Sequence, residues 1–149
     1  LLPEDFAVLV QRTYAQTRDC PALAEYRTAG QTLAEYRRAA SFAPQLWFRI
    51  LDSEDRSGAP IGCAVLSDHS KNDPDGGVIE LVYMGLVPEV RGRGLGTPLL
   101  NALIREARKS GADQMIMAVD RRNDVAGRIY QQAGFQTLLR ESVWVKSIS

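Results

Sequence analysis

Val78-Ile79-Glu80-Leu81-Val82-Tyr83-Met84-Gly85-Leu86-Val87 runs through Pro88-Glu89-Val90 into Arg91-Gly92-Arg93-Gly94-Leu95-Gly96-Thr97, and this stretch decides how the fold is read. The first ten residues are apolar but for one acid and one glycine, the pattern of a central strand covered on both faces. Beyond the glycines, Leu95, Leu99, Leu100, Leu103, Ile104 and Ala107 recur at helical spacing over 95–109, and Gly111 is placed to stop the helix. A strand, a glycine-rich turn and an amphipathic helix together make an anion site. The start of a helix leaves backbone N–H groups unpaired, its dipole favours negative charge, and glycines clear the approach for a phosphate. Arg91 and Arg93 add charged donors. The nucleotide-binding Gly-Lys-Ser/Thr ending is absent. The dinucleotide fingerprint would need glycine where Thr97 stands, in an opening strand–helix unit rather than after three strands.

Outward from this unit, residues 3–17 place Phe6, Leu9, Val10 and Tyr14 on one helical face, with Pro3 positioned to start the helix. Residues 18–31 read as a loop with room for a turn of helix, and Thr32 caps a second helix running to about Ser41. Residues 46–51 and 61–66 read as strands joined by the polar turn 52–60, and 68–77 is a second turn rich in Asn, Asp and Gly. After the helix come a strand at 115–119, a short helix at 124–133 ended by Gly134, and a strand, alone or with a short partner, within 135–148. Early adjacent strands imply antiparallel pairing, and the strand–helix–strand unit implies a parallel crossover. The expectation is an α/β fold with a mixed, mostly antiparallel sheet and helices on both faces.

At 149 residues the chain reads as a single domain, 1–149, able to bury a core without metal or disulfide support. Its balanced charge, with 18 basic and 18 acidic residues, argues against nucleic-acid binding. No apolar run is long enough for a membrane span. Cys20 and Cys63 are far apart, and Cys63 in its apolar run reads as a buried free thiol, which points to the cytoplasm. One histidine and scattered cysteines argue against a catalytic metal.

Arg91, Gly94 and Gly96 resemble motif A of the GNAT superfamily of acyl-CoA-dependent N-acetyltransferases, Arg/Gln-x-x-Gly-x-Gly/Ala. Val87-Pro88-Glu89 looks like the strand exit before that motif, and Asn123, Ala126, Tyr130, Gly134 and Phe135 resemble a second block. The resemblance covers 78–135 and implies splayed central strands and acetyl-CoA as acyl donor to an amine acceptor, a small molecule or a peptide. It implies that backbone near Leu86 and Val87 meets the pantetheine arm and that residues 92–97 (Gly92, Arg93, Gly94, Leu95, Gly96, Thr97) hold the pyrophosphate. Asn123 would hydrogen-bond the pantetheine or the acceptor side, Ala126 would contact the cofactor, and Tyr130 would protonate the departing thiolate. A first strand before residue 3 is expected from the family, so a non-catalytic acyl-CoA-binding half of a longer protein is the alternative. A homodimer is left open.

An amine acceptor must lose a proton. Glu80 is the first candidate for the base; strand alternation would put it on one face with Val82, Met84 and Leu86, barring a bulge. Asp120 ranks below it, and His69 reads as solvated in its polar turn. Trp47, Phe48 and Trp144 read as sheet packing. By resemblance, the region of Tyr14, Asp19, Tyr26 and Arg27 shapes the acceptor pocket.

Overall fold

The computed structural model describes residues 4–39, 41–70 and 77–148. Four strands, β1 (Trp47–Leu51), β2 (Pro60–Asp68), β3 (Val78–Leu86) and β4 (Gln114–Met117), form one sheet in that order. The β1–β2 and β2–β3 pairs are antiparallel, and β3–β4 is parallel. Helices α1 (Glu4–Tyr14), α2 (Pro21–Ala24) and α3 (Ala29–Arg38) precede the sheet, while α4 (Gly96–Lys109) and α5 (Asp124–Gln132) flank β4 in sequence. The expected mixed α/β architecture is therefore present. Pro3 lies outside the described residues, as do 71–76 of the polar turn read at 68–77.

The two faces carry separate cores. Phe6, Leu9 and Val10 share one side of α1 at helical spacing and pack with Leu33 of α3 against Trp47, Cys63 and Val65. On the other face Leu99, Leu100, Leu103 and Ala107 of α4 cover Ala64, Leu66, Ile79 and Leu81. β2 lies buried between both layers, so six successive residues from Gly62 to Ser67 lie inside rather than alternating with polar ones. Cys63 is free and fully buried, as expected.

β3 carries one extra residue. Val65 pairs with Tyr83 but Leu66 pairs with Leu81, so Val82 stands unmatched as a bulge. The bulge breaks the alternation expected from Glu80 to Leu86. Ile79 and Leu81 pack on the α4 side, and after Val82 the side chain of Tyr83 turns to the α1 side while that of Met84 faces α4. Glu80 and Met84 therefore do not share a face.

Two local expectations change. The second helix is capped by Thr28, not Thr32: Thr28 Oγ1 accepts the Gln31 amide while Gln31 Oε1 accepts the Thr28 amide, a complete capping box. Thr32 instead lies inside the helix with its hydroxyl on the Thr28 carbonyl. Residues 136–148 form neither helix nor strand, and Trp144 is 90% exposed instead of packed on the sheet. Their β-rich composition is a preference for a half-buried pleated surface, and it yields a strand only where an edge is paired.

Candidate functional site

The site lies where β3 and β4 part. Their parallel ladder runs only from Val78–Gln114 to Leu81–Met117, so among the described residues no strand pairs with that edge of β3 from Val82 onward. Strand register then decides which backbone groups face the gap. The Val87 amide donates to the Ile61 carbonyl, and the ladder is regular from there to Val65–Tyr83. Hydrogen-bonded and open pairs alternate along an antiparallel ladder, so Gly85 and Tyr83 also turn their polar groups to β2. Met84 and Leu86 turn theirs to the gap. Val87, expected beside Leu86 as a backbone contact, is thus spent on β2. Met84 was not anticipated; only the register identifies it.

β3 exits through the single 3₁₀ turn Pro88–Val90 into the glycine loop. Gly92 and Gly94 have φ of +77° and +75°, in the left-handed region that favours glycine, and a Cβ at either would meet nothing within 4 Å. Leu95, the N-cap of α4, provides no side-chain cap. Among the described residues, the amides of 92–97 have no hydrogen-bond partner. Pro98, next in line, has no N–H to leave unsatisfied. Gly96 serves a different purpose: a Cβ there would lie 2.7 Å from Ile129 Cδ1, so its bareness lets α5 dock against the start of α4.

The two arginines are not equivalent. Arg93 lies on the rim, 50% exposed, 3.4 Å from Asp52 Oδ2 in the β1–β2 turn. Arg91, expected as a phosphate donor, has its guanidinium turned inward. Nε donates to the Leu86 carbonyl at 3.0 Å, Nη1 to those of Ala15 (2.7 Å) and Gln16 (3.3 Å), and Nη2 to that of Thr13 (2.8 Å). Of five N–H groups, at most one is left for a ligand.

Asn123 is the N-cap of α5, not a residue within it. Its Oδ1 accepts the Ala126 amide at 3.3 Å, so Ala126 offers no free N–H, while the Asn123 side chain keeps both N–H donors and one lone pair of Oδ1 for a ligand. Tyr130, about two turns along α5 from Asn123, packs edge-on against Phe135 with ring centroids 5.9 Å apart. Among the described residues its hydroxyl has no hydrogen-bond partner. Burial, and secondarily the charge of Asp19, push its pKa up to about 12. Asp19 also accepts the Asp120 amide at 2.9 Å, tying the connection after α1 to the loop before α5. Asp120 is held by the Arg122 side chain and amide, which keep its carboxyl below the usual range and occupy it.

Glu80 sits toward the other end of β3, opposite Ser67 and Ile116. Its carboxylate meets His69 Nε2 at 2.8 Å, both side chains about one-third exposed. His69 is therefore partnered rather than simply solvated. Sequence reasoning also missed the partly buried link between Thr13 Oγ1 and the Tyr83 hydroxyl, 2.7 Å apart, which joins α1 to β3 beside Gly85. No helix among the described residues is long and apolar enough to cross a membrane.

Residues 11–135 match the model of the acetyltransferase (GNAT) family. The L-amino acid N-acyltransferase MnaT of Escherichia coli is 31% identical over 135 residues, covering 82% of this chain and 77% of that protein. A mycothiol acetyltransferase of Corynebacterium aurimucosum is 39% identical over 79 residues, 53% of this chain but 25% of its own length. The chain thus spans about a quarter of the mycothiol acetyltransferases it matches. Among solved structures, a putative acetyltransferase from Pyrococcus furiosus superposes with a TM-score of 0.66 at 18% identity, covering 97% of this chain and 93% of that one. An AAC(6')-Iy bound to a CoA bisubstrate analogue superposes at 0.58 and 21% identity, covering 97% and 91%. These two likenesses concern the fold.

Proposed function

The chain belongs to the acetyltransferase (GNAT) family, and from that premise we propose that it moves an acetyl group from acetyl-CoA to the primary amine of a small molecule. The observation that carries this reading is the run of unpaired amides at 92–97 beside an unpaired strand edge. A diphosphate fits those amides: the bare Gly92 and Gly94 leave its approach clear, and the helix dipole adds attraction. An extended amide-bearing arm fits the β3 edge, where Met84 presents its backbone groups and Leu86 its N–H, the Leu86 carbonyl being held by Arg91.

Acetyl-CoA supplies a thioester whose carbonyl carbon accepts the amine's electron pair as the C–S bond breaks. The Leu86 N–H in the gap supports the carbonyl oxygen as its charge grows. The Tyr130 hydroxyl gives its proton to the leaving sulfur, and the amine proton passes through water to Glu80, which lies six residues back along β3 from Leu86. With Tyr130 near 12 and a free thiol near 8.5, full transfer to sulfur would run about 5 kcal/mol uphill. Tyr130 therefore acts as the sulfur charge develops in a dry site, not as a pre-ionised acid. MnaT's action on L-amino acids and the partial match to an L-methionine sulfoximine/L-methionine sulfone acetyltransferase of Pseudomonas aeruginosa, 32% identical over 90 residues, make amino-acid-like amines the first acceptors to try.

The test measures CoA release with a panel of L-amino acids, L-methionine sulfone and mono- and polyamines. Tyr130→Phe is expected to lower kcat by about 10²-fold, within the usual range for a general acid, with CoA affinity retained. Unchanged turnover would remove Tyr130 from this role. A second reading rests on the short share of the mycothiol acetyltransferases that the chain covers: an acyl-CoA-binding half that needs the rest of a longer protein. It predicts CoA binding without transfer, and turnover by residues 1–149 alone would exclude it.

A further inference from the structure

Arg91 lies in the glycine loop, yet its hydrogen bonds reach the end of α1. A helix leaves its last carbonyls without partners. Here the Arg12 and Tyr14 carbonyls are taken by the Ala15 and Thr17 amides, while those of Thr13, Ala15 and Gln16 all face the Arg91 guanidinium. A cation at a helix C-terminus also meets the negative end of the dipole. The fourth carbonyl, Leu86, belongs to the last residue of β3. One side chain thus joins α1, the tip of β3 and the loop that carries the free amides.

The segment from Ala15 to Cys20 is anchored at both ends. Arg91 holds its start, and Asp19 accepts the Asp120 amide near its finish. Within the segment Gln16 and Cys20, one beside each anchor, have φ of +55° and +44°, conformations that non-glycine residues keep only when their surroundings impose them. The segment therefore runs as a strap from the glycine loop to the loop that leads into α5 and Tyr130.

We infer that Arg91 is a positioning residue: it sets the strap and the tip of β3 relative to the glycine loop, instead of binding the pyrophosphate itself. The brace does not depend on the proposed activity; its consequence for the cofactor does. A phosphate ligand would need only charge, and Arg91→Lys would retain most of its effect. A brace needs the planar fork, which reaches four carbonyls in different directions and which lysine lacks.

Amide hydrogen exchange on the ligand-free chain tests the brace directly. In Arg91→Lys and Arg91→Ala, the amides of Ala15, Thr17 and Asp19 are expected to exchange at least tenfold faster, with α4 unchanged and Arg93→Ala like the parent. Unchanged protection of that segment in either Arg91 variant overturns the proposal, and so does a loss of protection spread evenly over the whole chain. A second measurement is calorimetry with CoA and with pantetheine, which has no pyrophosphate. The brace predicts that both Arg91 variants weaken the two ligands by a similar factor, because the tip of β3 has moved. Weaker CoA with unchanged pantetheine, rescued by lysine, makes Arg91 a pyrophosphate ligand and overturns it. Failure of the parent chain to bind CoA would sink the proposed function, while the exchange result would still decide the brace.

Discussion

Gly94→Ala separates backbone strain from ligand access. Gly94 has φ of +75° and open space where a Cβ would go, so the methyl group clashes with nothing in the free protein. The cost is that of a left-handed non-glycine residue, about 1–2 kcal/mol. For a chain of this size that lowers Tm by about 2–8 °C. Gly111, at the far end of α4 and about 20 Å away along the helix, has φ of +92° and equally open space. Gly111→Ala should therefore lose a similar Tm for the same reason. Acetyl-CoA at 100 times its Kd should stabilise the parent by about 2.7 kcal/mol, a rise of about 5–11 °C. The two variants diverge only with ligand present. In Gly94→Ala the methyl group stands where a phosphate must approach the amides, and most of the rise should vanish; in Gly111→Ala it should remain whole. Gly94→Val should be more severe, since a branched Cβ adds bulk and strain. Thermal melts of the parent and the three variants, with and without acetyl-CoA, provide the comparison. A folded Gly94→Ala protein that keeps the full rise would place the diphosphate elsewhere and refute the central reading.

Gly85→Ala should destabilise by more than Gly94→Ala, because its Cβ would lie 2.5 Å from the Tyr83 hydroxyl and 2.9 Å from Thr13; denaturant titration with unchanged m-value checks this. Thr13→Val keeps the shape but removes the hydroxyl shared with Tyr83, and should cost about 1–3 kcal/mol in the same titration; a loss under 0.5 kcal/mol would mean water replaces the bond. Burial raises Cys63 to about 11 and Tyr36 and Tyr130 to about 12, so the unfolded chain loses these protons first as pH rises. Stability should be level with respect to these groups below pH 9 and fall between pH 9 and 12, with the fall shallower in Tyr36→Phe; equal slopes in the two proteins would contradict the burial of that hydroxyl.

The sequence was most legible where one pattern had one structural solution. The apolar run at 78–87 could only be a covered strand, and the glycines after it could only turn into the next helix; β3 and α4 lie where they were read. Gly111 and Gly134 end their helices with positive φ. What was hidden depended on partners distant in sequence. Thr28 and Thr32 are both good caps, and only the reciprocal bond from Gln31 distinguishes them. Nothing near Val82 marks a bulge, since the mismatch exists only against β2. Arg91 reads as a phosphate donor from its neighbours, whereas its bonds go to carbonyls some 75 residues earlier in the chain. The tail showed the opposite error: Val143, Trp144 and Val145 have strand-like composition, but no ladder receives them among the described residues.

The unmatched Val82 gives β3 two reading frames. Before it, a substitution at an even position is felt on the α1 side, as at Glu80; after it, an even position such as Met84 belongs to the α4 side. The strand can therefore carry an acid against one layer and offer its backbone to the gap beside the other without one requirement dictating the other. Removing that single residue would not adjust the site gradually. It would exchange the layers to which one half of the strand belongs, carrying Tyr83 away from Thr13 or Glu80 away from His69 in one step.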